Sequence, residues 1–196
     1  MTKRMFDLFV SLIGVAFLSP ALALLAVLVK IDSPGPVLYR GVRAGQFGQP
    51  FSMLKFRTMV EDADKIGGPS TSADDPRITR LGRLLRRYKL DELPQLINVV
   101  KGDMSLVGPR PEVMQEVLLY SDEEKLLLDV KPGITDWASV QFRNEGEILR
   151  GSLDPHQTYR DKVRPEKIRL GLEYVRSHSL STDCKIILRT VKTILE

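Results

Sequence analysis

The strongest constraint on this chain is an apolar run near its start. Between Met5 and Val29 the only charged residue is Asp7, and Lys3, Arg4 and Lys30 bracket the run. As one helix at about 1.5 Å per residue it would reach ~37 Å, enough to cross a bilayer. Three arrangements compete. Ala21-Leu22-Ala23 resembles a signal-cleavage site, but the apolar run continues past it and Asp7 falls early, which weighs against a leader. A single span would keep the basic N-terminus in the cytoplasm. A re-entrant helix would return to the face it entered from, and Ser19-Pro20 near the middle supplies the means. Proline removes a backbone donor and clashes with the preceding turn, while the serine hydroxyl can bond a freed carbonyl. Lysines at both ends then lie on one face of the membrane. The residues alone do not decide between span and bend.

Ile31-Asp32-Ser33-Pro34-Gly35-Pro36 is a breaker cluster. It divides a membrane element, residues 1–31, from a body, residues 32–196. With 43% hydrophobic and 28% charged residues the chain can bury a core and is too apolar for disorder. The single cysteine, Cys184, excludes an internal disulfide or a multi-cysteine metal site and suits a reducing compartment. The net charge of +4, with 29 Lys and Arg, could serve anionic lipid, a phosphorylated substrate or nucleic acid. Nucleic-acid binding would need basic residues interleaved with exposed aromatics, and aromatics are 7%. That reading is set aside.

The body reads as mostly helical α+β. Val37 to Arg43 and Phe51 to Met59 predict a hairpin around the loop 45–50, with Lys55 and Arg57 alternating onto one face. Residues 61–77 read as a loop. From Arg80 to Leu90, Leu81, Leu84, Leu85 and Tyr88 fall on one side of a helix studded with arginines. Such a helix either lies in a membrane interface or packs on its own domain with a solvated basic face. Further helices are expected at 92–100, 112–129, 165–177 and 183–195. His156 and His178 lack partners at ligand spacing, which speaks against a histidine metal site.

Lys89-Leu90-Asp91-Glu92-Leu93-Pro94 is the candidate reactive centre. Asp91 stands where an N-cap belongs, Pro94 suits a first turn and Gly102 is a fitting stop. The plain reading is a capped helix. The same place suits catalysis, because a helix start favours phosphate and an ionised carboxylate there can attack phosphorus. A second carboxylate, Glu92, could share a Mg²⁺ with Asp91 or handle protons. Attack by a carboxylate on a diphosphate is opposed by like charge, so cations are required. Arg110 in Gly108-Pro109-Arg110-Pro111, Arg86 five residues before Asp91, and the strand pair Lys55 and Arg57 are the candidates.

These motifs, with Lys3-Arg4-Met5-Phe6-Asp7, Lys55-Phe56-Arg57-Thr58-Met59, Lys131-Pro132-Gly133-Ile134-Thr135 and Asp183-Cys184-Lys185-Ile186-Ile187-Leu188-Arg189-Thr190, resemble the bacterial sugar transferases, the small monotopic phosphoglycosyltransferases. The resemblance covers nearly the whole chain. It implies a re-entrant helix bent at Ser19-Pro20, a small β-hairpin and amphipathic interfacial helices around the active site. It implies an enzyme at the cytoplasmic face of the bacterial inner membrane. Asp91 would be the nucleophile and Glu92 its assistant, with Mg²⁺ nearby and Arg86, Arg110, Lys55 and Arg57 on the phosphates. A sugar-1-phosphate would pass from a nucleotide-diphosphate sugar, expected to be a UDP-sugar, through Asp91 to polyprenyl phosphate, releasing UMP. Membrane lipids are implied partners, and a homo-oligomer is left open. The resemblance fails at one place: many members read Gly-Leu-Ala-Gln-Val where this chain has Asp136-Trp137-Ala138-Ser139-Val140. If that stretch selects the sugar, resemblance cannot name it. The lack of a multi-span N-terminal region points to a minimal, catalytic-only member. The competing reading is a non-catalytic membrane-anchored scaffold.

Overall fold

The apolar run forms a single helix. In the computed structural model, which describes residues 2–68 and 70–195, α1 extends over Thr2–Asp32. The helix continues through Ser19-Pro20 without a break. Pro20 has no N–H to offer the carbonyl of Ala16. The Ser19 hydroxyl donates to that carbonyl instead, at 2.8 Å. The expected repair of the proline site is thus present, in an unbroken helix.

By length and composition α1 could cross a membrane. Yet one stripe of it docks on the body at both ends. Phe6 and Val10 join a core of Met53, Val99, Met104 and Val107. Leu22, Leu25, Ala26 and Val29 join a second core around Phe56 and Leu85. The opposite side exposes Phe9, Ile13, Phe17, Leu24 and Val27, so this stretch of α1 is apolar all round and not on one face alone, as a helix that meets an apolar environment on its outer side would be. Polar groups bolt the first turns in place. Asp7, buried, accepts from the Ser105 hydroxyl at 2.8 Å and from Leu106 N at 3.3 Å. Lys3 donates to Asp183 at 2.5 Å. Arg4 donates to the carbonyls of Val99 and Val100 at 2.6 and 3.0 Å. The one charge inside the apolar run therefore belongs to the protein core.

The hairpin forms as expected, with β1 (Leu38–Ala44) antiparallel to β2 (Pro50–Phe56) and Lys55 opposite Tyr39. The loop residues 61–77 hold a short helix, α2 (Ala63–Ile66). The basic helix α3 (Arg80–Arg87) is capped by Thr79, whose side chain accepts from Gly82 N. Gly82 is required here, because a Cβ would collide with the Thr58 carbonyl. Helix α4 (Gln95–Lys101) stops at Gly102, which takes φ 94°. Asn98 fastens α4 to the hairpin: its Oδ1 accepts from Leu54 N at 3.0 Å and its Nδ2 donates to Ser52 O at 2.8 Å.

A parallel pair, β3 (Ser105–Val107) and β4 (Gly133–Thr135), was not expected from the sequence. Gly108 and Gly133 cross so closely that a Cβ on either would strike the other strand's backbone. The single helix expected at 112–129 is instead α5 (Met114–Val117) and a separate 3₁₀ turn, Glu124–Asp129. Ser121 and Glu124 form a reciprocal cap, Glu124 N to Ser121 Oγ and Ser121 N to Glu124 Oε2, which starts the new turn. Three short helices were missed: α6 (Trp137–Gln141), α7 (Glu145–Ile148) and α8 (Pro155–Lys162). Helix α9 (Arg164–Ser177) agrees with expectation, and α10 (Leu180–Leu195) begins earlier than expected. Ser179 is its cap, accepting from Thr182 N at 3.1 Å, while Asp183 turns inward to Lys3 and to Tyr174, 2.7 Å away.

Asn98→Ala removes both bonds of the α4–hairpin contact and strands the buried Leu54 N–H, which should cost about 1–3 kcal/mol. Thermal unfolding of detergent-solubilised protein measures this, and an unchanged midpoint would show that the contact is not stabilising.

Candidate active site

Asp91 and Glu92 sit in a 3₁₀ turn, Leu90–Glu92, between α3 and α4. This corrects the expectation of a helix cap. Pro94 has no N–H, so Leu90 O cannot receive the helical bond and takes Leu93 N at 3.4 Å instead. Glu92 N likewise reaches back to Lys89 O at 3.2 Å. Helix α4 begins only at Gln95 and has seven residues. The acids are therefore held by burial and by cations, and the helix start is not their anchor.

Glu92 is the hub. Its Oε1 receives Lys55 Nζ at 2.9 Å and Arg110 Nη2 at 2.6 Å, and its Oε2 receives Arg110 Nη1 at 3.3 Å. Lys55 arrives from β2, and Arg110 from the turn after the Gly108–Gly133 crossing. That turn is pinned by Gly108 N to Thr135 O at 3.1 Å and Gly133 N to Pro109 O at 3.0 Å. Burial alone would raise the Glu92 carboxyl, but Arg110 and Lys55 outweigh it and hold the group well below the usual carboxylate range.

Asp91 has the opposite character. It is 5% exposed, and its Oδ1 is buried with no hydrogen-bond partner. Burial pushes its carboxyl above the ordinary value, and the Glu92 charge adds to this against the pull of Lys55, Arg86 and Lys89. Neighbouring acids are thus split by environment, one firmly ionised and one poised to bind.

Arg86 reaches the site from α3, its Nε donating to Thr58 Oγ1 at 2.8 Å. Burial lowers it and the Asp91 charge opposes the shift. Lys89 was missed by sequence reasoning. It takes φ 55° at the head of the acidic turn, lines the cleft, and is lowered by burial against Glu92 and Asp91. Its place two residues before Asp91 was visible, but a left-handed lysine has no sequence signal. Arg57 does not join this cluster. Strand β2 ends at Phe56, and the Arg57 guanidinium donates to Ser33 O at 2.7 Å and to Pro34 O. It ties the α1–β1 junction, so Lys55 and Arg57 do not present a shared cationic face. Ser19 and Pro20 lie on exposed α1, apart from the cluster.

Four cations, Lys55, Arg86, Lys89 and Arg110, surround two carboxylates. If all are ionised, the formal excess of two positive charges matches a sugar diphosphodiester. The cluster floors a cleft of about 1730 Å³ that continues past Glu112, Ser139, Glu145 and Tyr159. Among the described residues no group of three or more His, Cys, Asp or Glu is placed to hold a metal. Magnesium needs less, since it binds through one or two carboxylates and completes its shell with phosphate and water. The free Asp91 Oδ1 fits that role. Glu92 fits it poorly, because Lys55 and Arg110 occupy both its oxygens.

A carboxylate held among cations, beside a docked apolar helix, defines a site suited to phosphorylated ligands. Residues 1–196 match the family model for bacterial sugar transferases, and the chain belongs to that family. It is 42% identical to the undecaprenyl-phosphate glucose phosphotransferase of Komagataeibacter xylinus, over 97% of this chain and 35% of that protein. It is 38% identical to the UDP-glucose:undecaprenyl-phosphate glucose-1-phosphate transferase of Caulobacter vibrioides, over 98% of this chain and 69% of the relative. The Aeromonas hydrophila UDP-N-acetylgalactosamine-undecaprenyl-phosphate N-acetylgalactosaminephosphotransferase is 34% identical, over 98% and 43%. The chain thus spans from about a third to about two-thirds of these relatives.

Glu92→Gln removes a like charge from beside Asp91 and frees Lys55 and Arg110 to act on it. The Asp91 titration should therefore move to lower pH, as followed by the infrared carboxyl band against Asp91→Asn; movement to higher pH would refute the assigned electrostatics.

Proposed function

We propose that this chain transfers a sugar-1-phosphate from a UDP-sugar to polyprenyl phosphate, releasing UMP, with Asp91 as a covalent nucleophile. The observation that carries this reading is the buried, unpartnered Asp91 oxygen beneath a ring of cations in an open cleft. The relatives named above for glucose-1-phosphate and N-acetylgalactosamine transfer share the acceptor undecaprenyl phosphate and differ in the sugar.

In the first step an Asp91 carboxylate oxygen attacks the β-phosphorus, and the bond from that phosphorus to the bridging oxygen breaks. UMP departs, leaving an acyl phosphate on Asp91 that carries the sugar. In the second step a phosphate oxygen of the polyprenyl carrier attacks the same phosphorus and displaces the Asp91 carboxylate. The product is a polyprenyl-diphosphate sugar. Lys55, Arg86, Lys89 and Arg110 offset the charge that would otherwise repel the attacking carboxylate. The raised Asp91 carboxyl must ionise before it attacks: Lys55, Arg86 and Lys89 favour its charged form, and the proton leaves to solvent through the open cleft before the anionic donor binds. Glu92 acts by holding Lys55 and Arg110 in place. Bound Mg²⁺, with Asp91 as its protein ligand, would supply Lewis-acid stabilisation to the diphosphate.

The enzyme lies at the cytoplasmic face of the bacterial inner membrane, with α1 as a re-entrant anchor. Docking of both α1 ends on one body supports this, since a helix crossing the bilayer would carry one end away. Lys3, Arg4 and Lys30 then share the cytoplasmic side.

Asp91→Asn should abolish UMP release and the trapped phosphosugar adduct while leaving membrane binding intact. Full activity of that variant in a detergent assay would remove Asp91 from the mechanism, and chelation of Mg²⁺ should silence the wild type reversibly. In a Cys184→Ser background, single cysteines at Thr2 and Ser33 should label from the same side of sealed vesicles; labelling from opposite sides would mean a true span.

A further inference from the structure

The cleft has a second polar wall that the transfer chemistry above does not use. Glu116 of α5 is 3% exposed, and its Oε2 has no hydrogen-bond partner although the residue lines the cleft. Arg164 Nε lies 3.8 Å from that oxygen, too far for a hydrogen bond. The other oxygen, Oε1, accepts from Arg160 and lies 3.3 Å from His156 Nε2. His156 is gripped from its far side too, with Nδ1 3.0 Å from the Ser70 hydroxyl. Its ring lies parallel to that of Tyr159, centroids 6.5 Å apart. Tyr159 donates to Glu112 at 2.6 Å, two residues beyond Arg110. Lys167 pairs with Glu145 at 2.5 Å, and Glu145 acts in turn on Arg110. One wall therefore runs from the acid cluster to Glu116.

A buried carboxylate oxygen without a donor is costly, and a carboxylate can only accept. What completes it must bring a hydrogen-bond donor. On the reading proposed above, the donor substrate is a diphosphate flanked by two polyhydroxylated rings, and the diphosphate lies at the cationic cluster. A cleft of about 1730 Å³ exceeds the ~300–1,000 Å³ usual for a small-molecule site, leaving room for a ring beyond the phosphates. We propose that Glu116 is a hydroxyl-binding residue for a ring of the nucleotide-sugar donor, and that His156, clamped between Ser70 and Glu116, is its positioning residue. The ring hydroxyls come from the transferred sugar or from the ribose, which offer the same chemistry.

The test is steady-state transfer by full-length Glu116→Gln and His156→Gln in detergent, with UDP-glucose, UDP-galactose and UDP-N-acetylglucosamine as donors and UMP as inhibitor. His156→Gln leaves the Glu116 pair with Arg160 in place, so it reads the subsite if Glu116→Gln fails to fold. Loss of a charged hydrogen bond should raise KM roughly tenfold to a hundredfold for Glu116→Gln, with kcat changed far less. His156→Gln should shift KM in the same direction by a smaller factor. A changed preference among the donors with unchanged UMP inhibition assigns the contact to the transferred sugar. Equal weakening for every donor and for UMP assigns it to the ribose. KM and UMP inhibition within about twofold of wild type in a folded variant, or a loss confined to kcat, would overturn the proposal. A wild type inactive on every nucleotide sugar would overturn the transfer reading together with this one, whereas an active wild type with unaltered variants overturns this one alone.

Discussion

Two cations closing on one buried carboxylate organise the molecule. Glu92 receives Lys55 from the hairpin and Arg110 from the turn beyond β3, so three segments remote in sequence meet at a single group. A buried ion pair repays its desolvation only when its geometry is good and its oxygens are satisfied, and removing one partner typically costs about 3–5 kcal/mol. Here both oxygens are satisfied. The consequence falls on Asp91, its neighbour. With Lys55 and Arg110 hydrogen-bonded to Glu92, Asp91 is left buried, without a hydrogen-bond donor on Oδ1, and raised, which is the state of a group awaiting a ligand.

The same logic explains the membrane helix. An apolar segment with one acid would be costly to insert if that acid faced lipid. Asp7 instead faces Ser105 and Leu106, and Lys3 reaches across to Asp183. The first turn of α1 is therefore part of the folded body, fixed to β3 and to α10. Because Arg4 also closes the end of α4, the anchor and the acidic turn are mechanically joined through one short helix. Membrane docking and site geometry are thus not independent features of this fold.

Much of the site was legible in the sequence, and the failures have physical causes. The structure brings Asp91, Glu92, Arg86, Arg110 and Lys55 together, as the ordered motifs and the family resemblance implied. Arg57 was misplaced because strand periodicity was carried one residue too far, past the end of β2 at Phe56. Lys89 was missed because its left-handed backbone is imposed by the turn between two helices. The helix expected over 112–129 dissolved where Ser121 and Glu124 cap a new turn, a signal present in the residues but outweighed there by apolar content. His156 was weighed only as a metal ligand, and the partners it has in the structure, Ser70 and Glu116, arrive from distant segments that no local spacing brings together.

By itself the sequence determined the long apolar anchor, the hairpin, the basic helix and the acid pair, because each depends on local periodicity or on residues close along the chain. It could not determine which acid would be ionised and which would be poised, since that turns on which cations fold against which oxygen. Nor could it separate a cap from a 3₁₀ turn, where one missing proline N–H shifts the hydrogen bonding. Those choices were made by tertiary structure: the close crossing of Gly108 and Gly133 that aims Arg110, and the burial that leaves Asp91 without a partner.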